Sequence, residues 1–231
     1  MRTALIVVDV QNDFCHGGTL AVRGADAVVD PINRLIQKSA RRGWRVFLTR
    51  DWHPRNHLSF RRQGGQWPPH CIADSQGAAF HPALNAPKGV TIVSKATAPH
   101  QTAHSAFEDT NLRSLLALQG VDHVIVTGLP TDYCVKNTVL DALRFGFSVT
   151  VVEETIRAVN VNPGDGVEAV ETMRKAGAEI VPIERIIGAP THRTTIMKRV
   201  ALAPIARQVK HAKPAKTGKP ARKRELVGTV A

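Results

Sequence analysis

Short apolar segments rich in β-branched residues alternate with stretches of helical periodicity over the first 183 residues of the chain. The six apolar segments are 3–10, 44–51, 90–95, 121–129, 147–153 and 178–183. The helical stretches are 25–42, 111–119, 132–145 and 166–176, and each is followed by a glycine, a common helix end. Nearly continuous apolar strands that alternate with helices predict a parallel sheet buried on both faces. Because such crossovers are right-handed, we expect a three-layer, doubly wound, six-stranded α/β fold.

The composition excludes several classes of protein. The 231 residues are 43% hydrophobic and 22% charged, and no run approaches the roughly 18–20 apolar residues of a membrane span. The apolar stretch at the N-terminus is short and ends at Asp9, so it does not resemble a secretory signal. Three scattered cysteines fit a reducing compartment better than a disulfide framework. We therefore expect a cytoplasmic protein; a homo-oligomer is compatible with the sequence, which leaves the oligomeric state open.

The net charge of +12 is concentrated at the C-terminus. Residues 186–231 contain 11 of the 31 Lys and Arg residues but one of the 19 Asp and Glu residues. We therefore divide the chain into a globular domain, 1–188, and a basic Lys/Pro/Ala-rich tail, 189–231, which we expect to be disordered. The tail lacks aromatic residues, which predicts weak, salt-dependent contact with polyanions and no sequence-specific binding of nucleic acid.

Chemically active side chains follow the predicted strands, at the edge where parallel sheets bind ligands. Asp9, Asp51 and Lys95 end the first three strands, and Cys134 lies in the first turn of the helix after the fourth. A helix N-terminus favours a thiolate, Asp9 is placed to take the thiol proton, and Lys95 to hold the resulting charges. The alternative is that Cys134 is a small buried apolar residue.

A carboxylate and three imidazoles lie in the motifs DWHPRNH and WPPHC: Asp51, His53, His57 and His70. Such donors suit Zn²⁺, Fe²⁺ or Mn²⁺, with open positions for water or substrate. Two alternatives remain open from the residues alone. Asp51 pairs with Arg50 or Arg55 while the histidines are solvated, or Cys71 supplies a soft ligand.

Several motifs occur in collinear order: VVDVQNDF, TRDWHP, WPPHC, VSKAT and GLPTDYCVKNTVLDALRFGF. Over residues 3–183 the chain resembles the nicotinamidase (pyrazinamidase) branch of the isochorismatase-like cysteine hydrolases. The resemblance implies a Rossmann-like six-stranded parallel sheet. It also implies hydrolysis of nicotinamide, and of analogues such as pyrazinamide, to the acid and ammonia through a cysteine thioester in NAD salvage.

The resemblance also assigns roles to particular positions. The triad is Asp9 as proton acceptor and later donor, Lys95, and Cys134 as nucleophile. Asp51, His53 and His70 match the metal ligands, zinc first among the candidate ions, and His57 matches a further histidine beside the metal. Phe14, Leu20 and Trp67 match residues that enclose a flat aromatic ring, whose pyridine nitrogen would complete the metal's coordination. No nucleotide cofactor is implied.

The chain departs from the family pattern at Pro130, a position that borders the substrate. Relatives often have alanine there, after a cis peptide bond, and its N–H helps to stabilise the oxyanion. Proline makes a cis Leu129–Pro130 bond cheaper, about 0.5–1 kcal/mol instead of ~3–4, but removes the N–H donor. The sequence therefore makes a cis bond easier to form and predicts a weakened oxyanion site. His104, near a position where relatives often have tyrosine, leaves the range of substituted pyridines open.

Three other functions are compatible with parts of the pattern. A relative of the same fold could hydrolyse another small amide, such as an N-carbamoyl compound, and would then be fully active without metal. Two histidines and a carboxylate also form the site of non-haem iron oxygenases, which are usually jelly rolls and not parallel α/β folds. Finally, the basic tail could be the functional part, with the globular body as a scaffold for polyanion binding.

Overall fold

A computed structural model describes residues 1–188 and contains one six-stranded parallel sheet in the order β3-β2-β1-β4-β5-β6. The strands are β1 Thr3–Val8, β2 Arg45–Asp51, β3 Thr91–Lys95, β4 His123–Gly128, β5 Ser148–Ile156 and β6 Glu179–Val181. The helices are α1 Val29–Arg42, α2 Leu112–Leu118, α3 Lys136–Arg144, α4 Asp165–Lys175 and α5 Glu184–Ile187. The predicted doubly wound α/β fold is confirmed.

The central strand β1 shows why both faces of the sheet must be covered. All six of its residues are buried. Ala4, Ile6 and Val8 belong to one apolar cluster, whereas Leu5 and Val7 belong to a second cluster on the opposite face. Because successive side chains of a strand point to opposite faces, each cluster is one of two core layers between the sheet and its helices.

The strand β1 ends two residues before the predicted end. Asp9 has a left-handed backbone (φ 48°), so the chain leaves the sheet there. On the neighbouring strand, Gly128 (φ 112°) approaches so closely that a Cβ would lie 1.9 Å from the carbonyl oxygen of Val8. The order of strands reverses between β1 and β4, which is where open α/β sheets bind ligands.

The helix predicted at 132–145 begins with a wider turn. In Thr131–Val135 the N–H of Val135 bonds to the carbonyl of Pro130, five residues earlier, and the α-helical pattern starts at Lys136. Turns of this π type are rare and occur frequently at functional sites. Cys134 lies in this turn.

The long segment between β2 and β3 contains one short 3₁₀ turn, Arg61–Gln63, and is otherwise irregular. Isolated bridges join His53 to Ile72 and Phe60 to Trp67, so the segment folds on itself. Among residues 1–188, no helix combines the length and apolar character needed to cross a membrane. The expected disorder of residues 189–231 lies outside the described part of the chain.

Candidate active site

The buried Lys95 ammonium is the centre of the site. Its side chain is 1% exposed, and Nζ lies 3.0 Å from Asp9 Oδ2 and 3.4 Å from Cys134 Sγ. It also donates to Asp51 Oδ1, and to the carbonyl of Ala103 at 3.1 Å. Burial alone would lower the pKa of Lys95, but the Asp51 and Asp9 carboxylates raise it well above the usual range. The two carboxylates therefore favour the cationic form of Lys95, which lies between them and the thiol.

Asp9 is held so that one carboxylate oxygen remains available. The Thr49 hydroxyl donates to Oδ1 at 2.6 Å, whereas Oδ2 accepts no well-formed hydrogen bond from any described residue, despite its ion pair with Lys95. Burial raises the pKa of Asp9, and the Lys95 charge opposes that rise. A carboxylate oxygen that is held by this ion pair, on a group whose pKa burial raises, is suited to accept and return a proton.

Cys134 is 3% exposed, and burial raises the pKa of its thiol well above the ordinary value despite the nearby Lys95 charge. Burial therefore opposes the thiolate that the helix N-terminus favours. Sγ and one carboxylate oxygen each of Asp9 and Asp51 lie within 4.8 Å of one another. Asp9 is thus near enough to remove the thiol proton as the sulfur attacks.

Three buried side chains form a metal-binding donor set. One donor atom each of Asp51, His53 and His70 lies within 4.8 Å of the others. His53 Nδ1 lies 3.2 Å from the carbonyl of Ala96, and His70 Nδ1 lies 2.8 Å from that of Pro68. A carbonyl only accepts, so each Nδ1 carries the proton and each Nε2 keeps a free lone pair. One carboxylate and two oriented imidazoles fit a divalent ion such as zinc.

His57 is arranged differently from the other two histidines. Its Nε2 donates to the carbonyl of Gln101 at 2.9 Å, and its Nδ1 accepts from the Ser59 hydroxyl at 2.7 Å. The ring stacks on His53 with centroids 4.2 Å apart. Both ring nitrogens are therefore occupied, so the structure does not present His57 as the additional metal ligand that the resemblance suggested.

This difference predicts unequal effects of removing the two histidines. His70→Ala is expected to weaken Zn²⁺ binding at least about 100-fold, because it removes a ligand. His57→Ala is expected to weaken it by about tenfold or less, because it removes only a supporting contact. Competition with a chromophoric chelator measures both constants. Equal losses in the two variants would mean that His57 ligates the metal after all.

Both alternative interpretations of the metal motif fail. His53, His57 and His70 are at most 5% exposed, so they are not solvated loop residues. Asp51 pairs with Lys95, whereas Arg50 donates to Ser94 and stacks over Trp52. Cys71 is fully buried in an apolar cluster, lies outside the donor set, and donates its N–H to Asp13.

A second group, Cys15, Asp26 and His81, also brings three donor atoms within 4.8 Å of one another. Here the histidine has the wrong tautomer. His81 Nδ1 accepts the N–H of Ala83 at 3.2 Å, so Nε2 carries the proton that points at Asp26, 3.3 Å away. Burial, with the Asp26 charge, raises the pKa of Cys15 to about 12. In this conformation His81 therefore offers no free lone pair to a metal ion.

A single cleft brings the sulfur and the metal donors together. Its volume is about 460 Å³ including the open mouth. Cys134 and the donor set line it, together with all three predicted ring-binding residues: Phe14, Leu20 and Trp67. Five further lining residues were not predicted from the sequence: Ser59, Thr102, Ala103, Tyr133 and Val159. Of these, Tyr133 could have been found from the sequence, because it directly precedes Cys134. In the structure its ring packs edge-on against Trp67, with ring centroids 5.5 Å apart.

The Leu129–Pro130 bond is trans, although proline lowers the cost of the cis form. Residues 1–188 contain no cis peptide, and Pro130 is not among the residues that line the cleft. The N–H of Leu129 continues the sheet pairing by donating to Val8 at 2.8 Å, and the carbonyl of Pro130 accepts from Val135. These bonds hold the chain in the trans form, which is also the intrinsically favoured isomer.

The missing N–H at Pro130 still leads to a prediction about the rate. The next amide, Thr131, donates to the carbonyl of Arg157 at 2.8 Å, so it is not free to replace the lost oxyanion donor. Pro130 lies outside the lining of the cleft, so an N–H restored there is not directed at the reacting carbonyl in this backbone. We therefore expect Pro130→Ala to raise kcat by much less than the roughly 10²–10³-fold that one oxyanion donor contributes. Steady-state kinetics on the two proteins decide this, and a rise of about 10²-fold or more would mean that the alanine N–H does reach the oxyanion.

Comparison with known proteins gives a consistent result. Residues 3–185 match the isochorismatase domain family. The nicotinamidase of Escherichia coli is 41% identical over 198 residues, which are 77% of this chain and 93% of that protein. The pyrazinamidase of Pyrococcus horikoshii in complex with zinc aligns with a TM-score of 0.75 and 42% identity, over 79% of this chain and 99% of that one. A structure of PnC1 from L. infantum in complex with nicotinate aligns with a TM-score of 0.74 and 35% identity, over 78% of this chain and 92% of that one.

Proposed function

The chain belongs to the isochorismatase family, and from this premise we propose that it hydrolyses nicotinamide, and analogues such as pyrazinamide, to the carboxylate and ammonia. One observation carries the proposal. The Cys134 thiol and the Asp51, His53 and His70 donors line one cleft whose walls include aromatic side chains. A flat ring with a nitrogen at one edge and a carboxamide at the other fits such a cleft, because each end meets a group of matching chemistry.

The metal site supplies orientation in this proposal. A bound divalent ion, which we propose to be zinc, would act as a Lewis acid that accepts the ring nitrogen of the substrate. Asp51, His53 and His70 are the residues that would hold it. Phe14 and Trp67 enclose the ring, so that the carboxamide is directed toward Cys134.

The triad residues then perform the chemistry at the carboxamide. Asp9 takes the proton from Cys134 as Sγ bonds to the carbonyl carbon, and gives it to the departing nitrogen as the C–N bond breaks. Ammonia leaves and a thioester remains. Asp9 then removes a proton from a water molecule that attacks the thioester, which releases the carboxylate and restores the thiol. Lys95 keeps Asp9 in place and balances the negative charge that moves between Asp9 and Cys134.

The proposed nucleophile requires a reduced thiol. All three cysteines, Cys15, Cys71 and Cys134, are free and buried. This suits a reducing compartment, and we place the reaction in the cytoplasm, where it would return nicotinamide to NAD synthesis.

Ammonia release from nicotinamide by the purified protein tests the proposal. We expect turnover with nicotinamide and pyrazinamide, and a loss of at least about 100-fold after chelation that added Zn²⁺ reverses. An N-carbamoyl amino acid serves as the competing substrate. Full activity on that compound after chelation, with none on nicotinamide, would replace the proposal by the alternative amidase.

A further inference from the structure

The side chain of Gln11 completes the sheet where the strand β1 has turned away. At Asp9 the backbone enters the left-handed region, so β1 no longer pairs with the end of β2. The buried Gln11 amide takes its place: Oε1 accepts the N–H of Asp51 at 2.8 Å, and Nε2 donates to the carbonyl of Asp51 at 2.8 Å. Nε2 also donates to the carbonyl of Ala78 at 2.9 Å. One side chain therefore does what a neighbouring strand would do.

Asp51, which Gln11 holds in this way, contacts two different groups through its carboxylate. On its other side, Asp51 is in register with Lys95 of β3, and Lys95 Nζ contacts Asp51 Oδ1. The second oxygen, Oδ2, lies 3.6 Å from His53 Nε2, on the side of the donor set. A small rotation of the Asp51 backbone would improve one contact at the expense of the other. The position of Asp51 therefore depends on both edges of its strand being fixed.

We infer that Gln11 is a positioning residue for Asp51, and that it sets both the metal affinity of the site and the placement of Lys95. The inference rests on the proposed function for its kinetic part. Gln11 is fully buried and does not line the cleft, so it acts through Asp51 and not on the substrate. If Gln11 contributed to stability alone, its removal would have the same effect as the removal of any other buried amide that bridges two backbone segments.

The chain contains such an amide, which provides a matched control. Asn33 of α1 is 9% exposed, donates to the carbonyl of Ala83 at 2.8 Å, and accepts the N–H of Asn85 at 2.7 Å. It bridges backbone segments as Gln11 does, but touches none of the site residues. Asn33→Leu and Gln11→Met each replace the amide by an apolar side chain of similar volume. Each variant therefore loses the hydrogen bonds of its amide.

The experiment measures Zn²⁺ affinity by chelator competition, together with kcat, KM and thermal stability, for the full chain and both variants. We expect both variants to melt at lower temperature than wild type. Only Gln11→Met should also weaken Zn²⁺ binding, by about 10–100-fold, and lower kcat/KM by a comparable factor. Asn33→Leu should keep wild-type values of both. Gln11→Asn, whose amide is one methylene too short to reach both Asp51 groups, should give a smaller loss and serves if Gln11→Met does not fold.

The outcomes distinguish the positioning role of Gln11 from the proposed hydrolysis of nicotinamide. Wild-type Zn²⁺ affinity and kcat in folded Gln11→Met, or in Gln11→Asn where that variant is the one that folds, would overturn the positioning role. The same would follow if Asn33→Leu lost as much Zn²⁺ affinity as the Gln11 variant. If the wild type binds Zn²⁺ but does not release ammonia from nicotinamide, the proposed function fails. The Zn²⁺ titrations still decide the role of Gln11 in that case.

Discussion

Cys134→Ala is expected to lower the rate of ammonia release from nicotinamide at least about 10⁴-fold, because no other group in the cleft can form the thioester. Asp9 would keep its charge and Lys95 its two carboxylate partners, since the sulfur only borders that ion pair. Zn²⁺ affinity should stay within about threefold of wild type, since the donor set lacks Cys134. The variant thus separates the chemical step from metal binding.

Cys15→Ala is the control for this experiment. Cys15 is also a buried free thiol whose pKa burial raises, but it does not line the cleft. We expect it to keep the wild-type rate and to lose about 1 kcal/mol of unfolding free energy from the small cavity. Residual thioester chemistry in Cys134→Ala, seen as trapping of substrate by another cysteine, would contradict the assignment of the nucleophile.

The residues at the ends of the strands could be predicted because the topology dictates where they meet. In a parallel sheet the carboxyl ends share one edge, and the four strands that precede Asp9, Asp51, Lys95 and Cys134 are neighbours in the order β3-β2-β1-β4. Asp51 and Lys95 even stand in register on adjacent strands. Pattern and chain direction were sufficient to bring these four side chains together.

The irregular segment between β2 and β3 could not be placed by pattern alone. Periodicity says nothing about a loop of this kind: the motifs suggested His70 as one of several candidate donors, and the resemblance alone selected it as a ligand beside Asp51. The tautomers, which separate His53 and His70 from His57, depend on which carbonyl or hydroxyl faces each Nδ1. Such contacts are set by tertiary packing and leave no trace in residue spacing.

Backbone strain near the site was equally hidden. Asp9, Cys71 and Ala96 all have positive φ angles, of 48°, 46° and 51°, which side-chain-bearing residues rarely adopt. Ala96 follows Lys95 and Cys71 follows His70. The carbonyl of Ala96 lies beside Nδ1 of the His53 ring. The carbonyl of Cys71 accepts the backbone N–H of His53 at 2.9 Å. Strain of this kind persists only where surrounding contacts determine the conformation, as they do here.

Lys95→Met is expected to cost about 3–5 kcal/mol of unfolding free energy, because it leaves the buried carboxylates of Asp9 and Asp51 without their cation. One oxygen of each lies within 4.8 Å of the other, so their charges repel. The folded-state pKa of Lys95 is raised, so its stabilisation is fully present below the unfolded value of about 10.4 and is lost only as pH rises through the folded pKa. The loss in Lys95→Met should therefore persist throughout roughly pH 6 to 9.

Urea unfolding in the presence of a chelator measures this cost in free energy. The chelator is needed because a bound divalent ion would partly replace the missing positive charge and mask the loss of stability.

The double variant Lys95→Met/Asp9→Asn removes one of the two repelling charges, so we expect it to regain about half of the lost stability. The rate of the double variant should nevertheless stay at least about 100-fold below wild type, because neither Lys95 nor the Asp9 carboxylate remains. If Lys95→Met is as stable as wild type, or if the double variant is less stable than Lys95→Met, the two carboxylates do not depend on Lys95. Lys95 would then act on the reacting groups alone, and the buried ion-pair network would have no structural role.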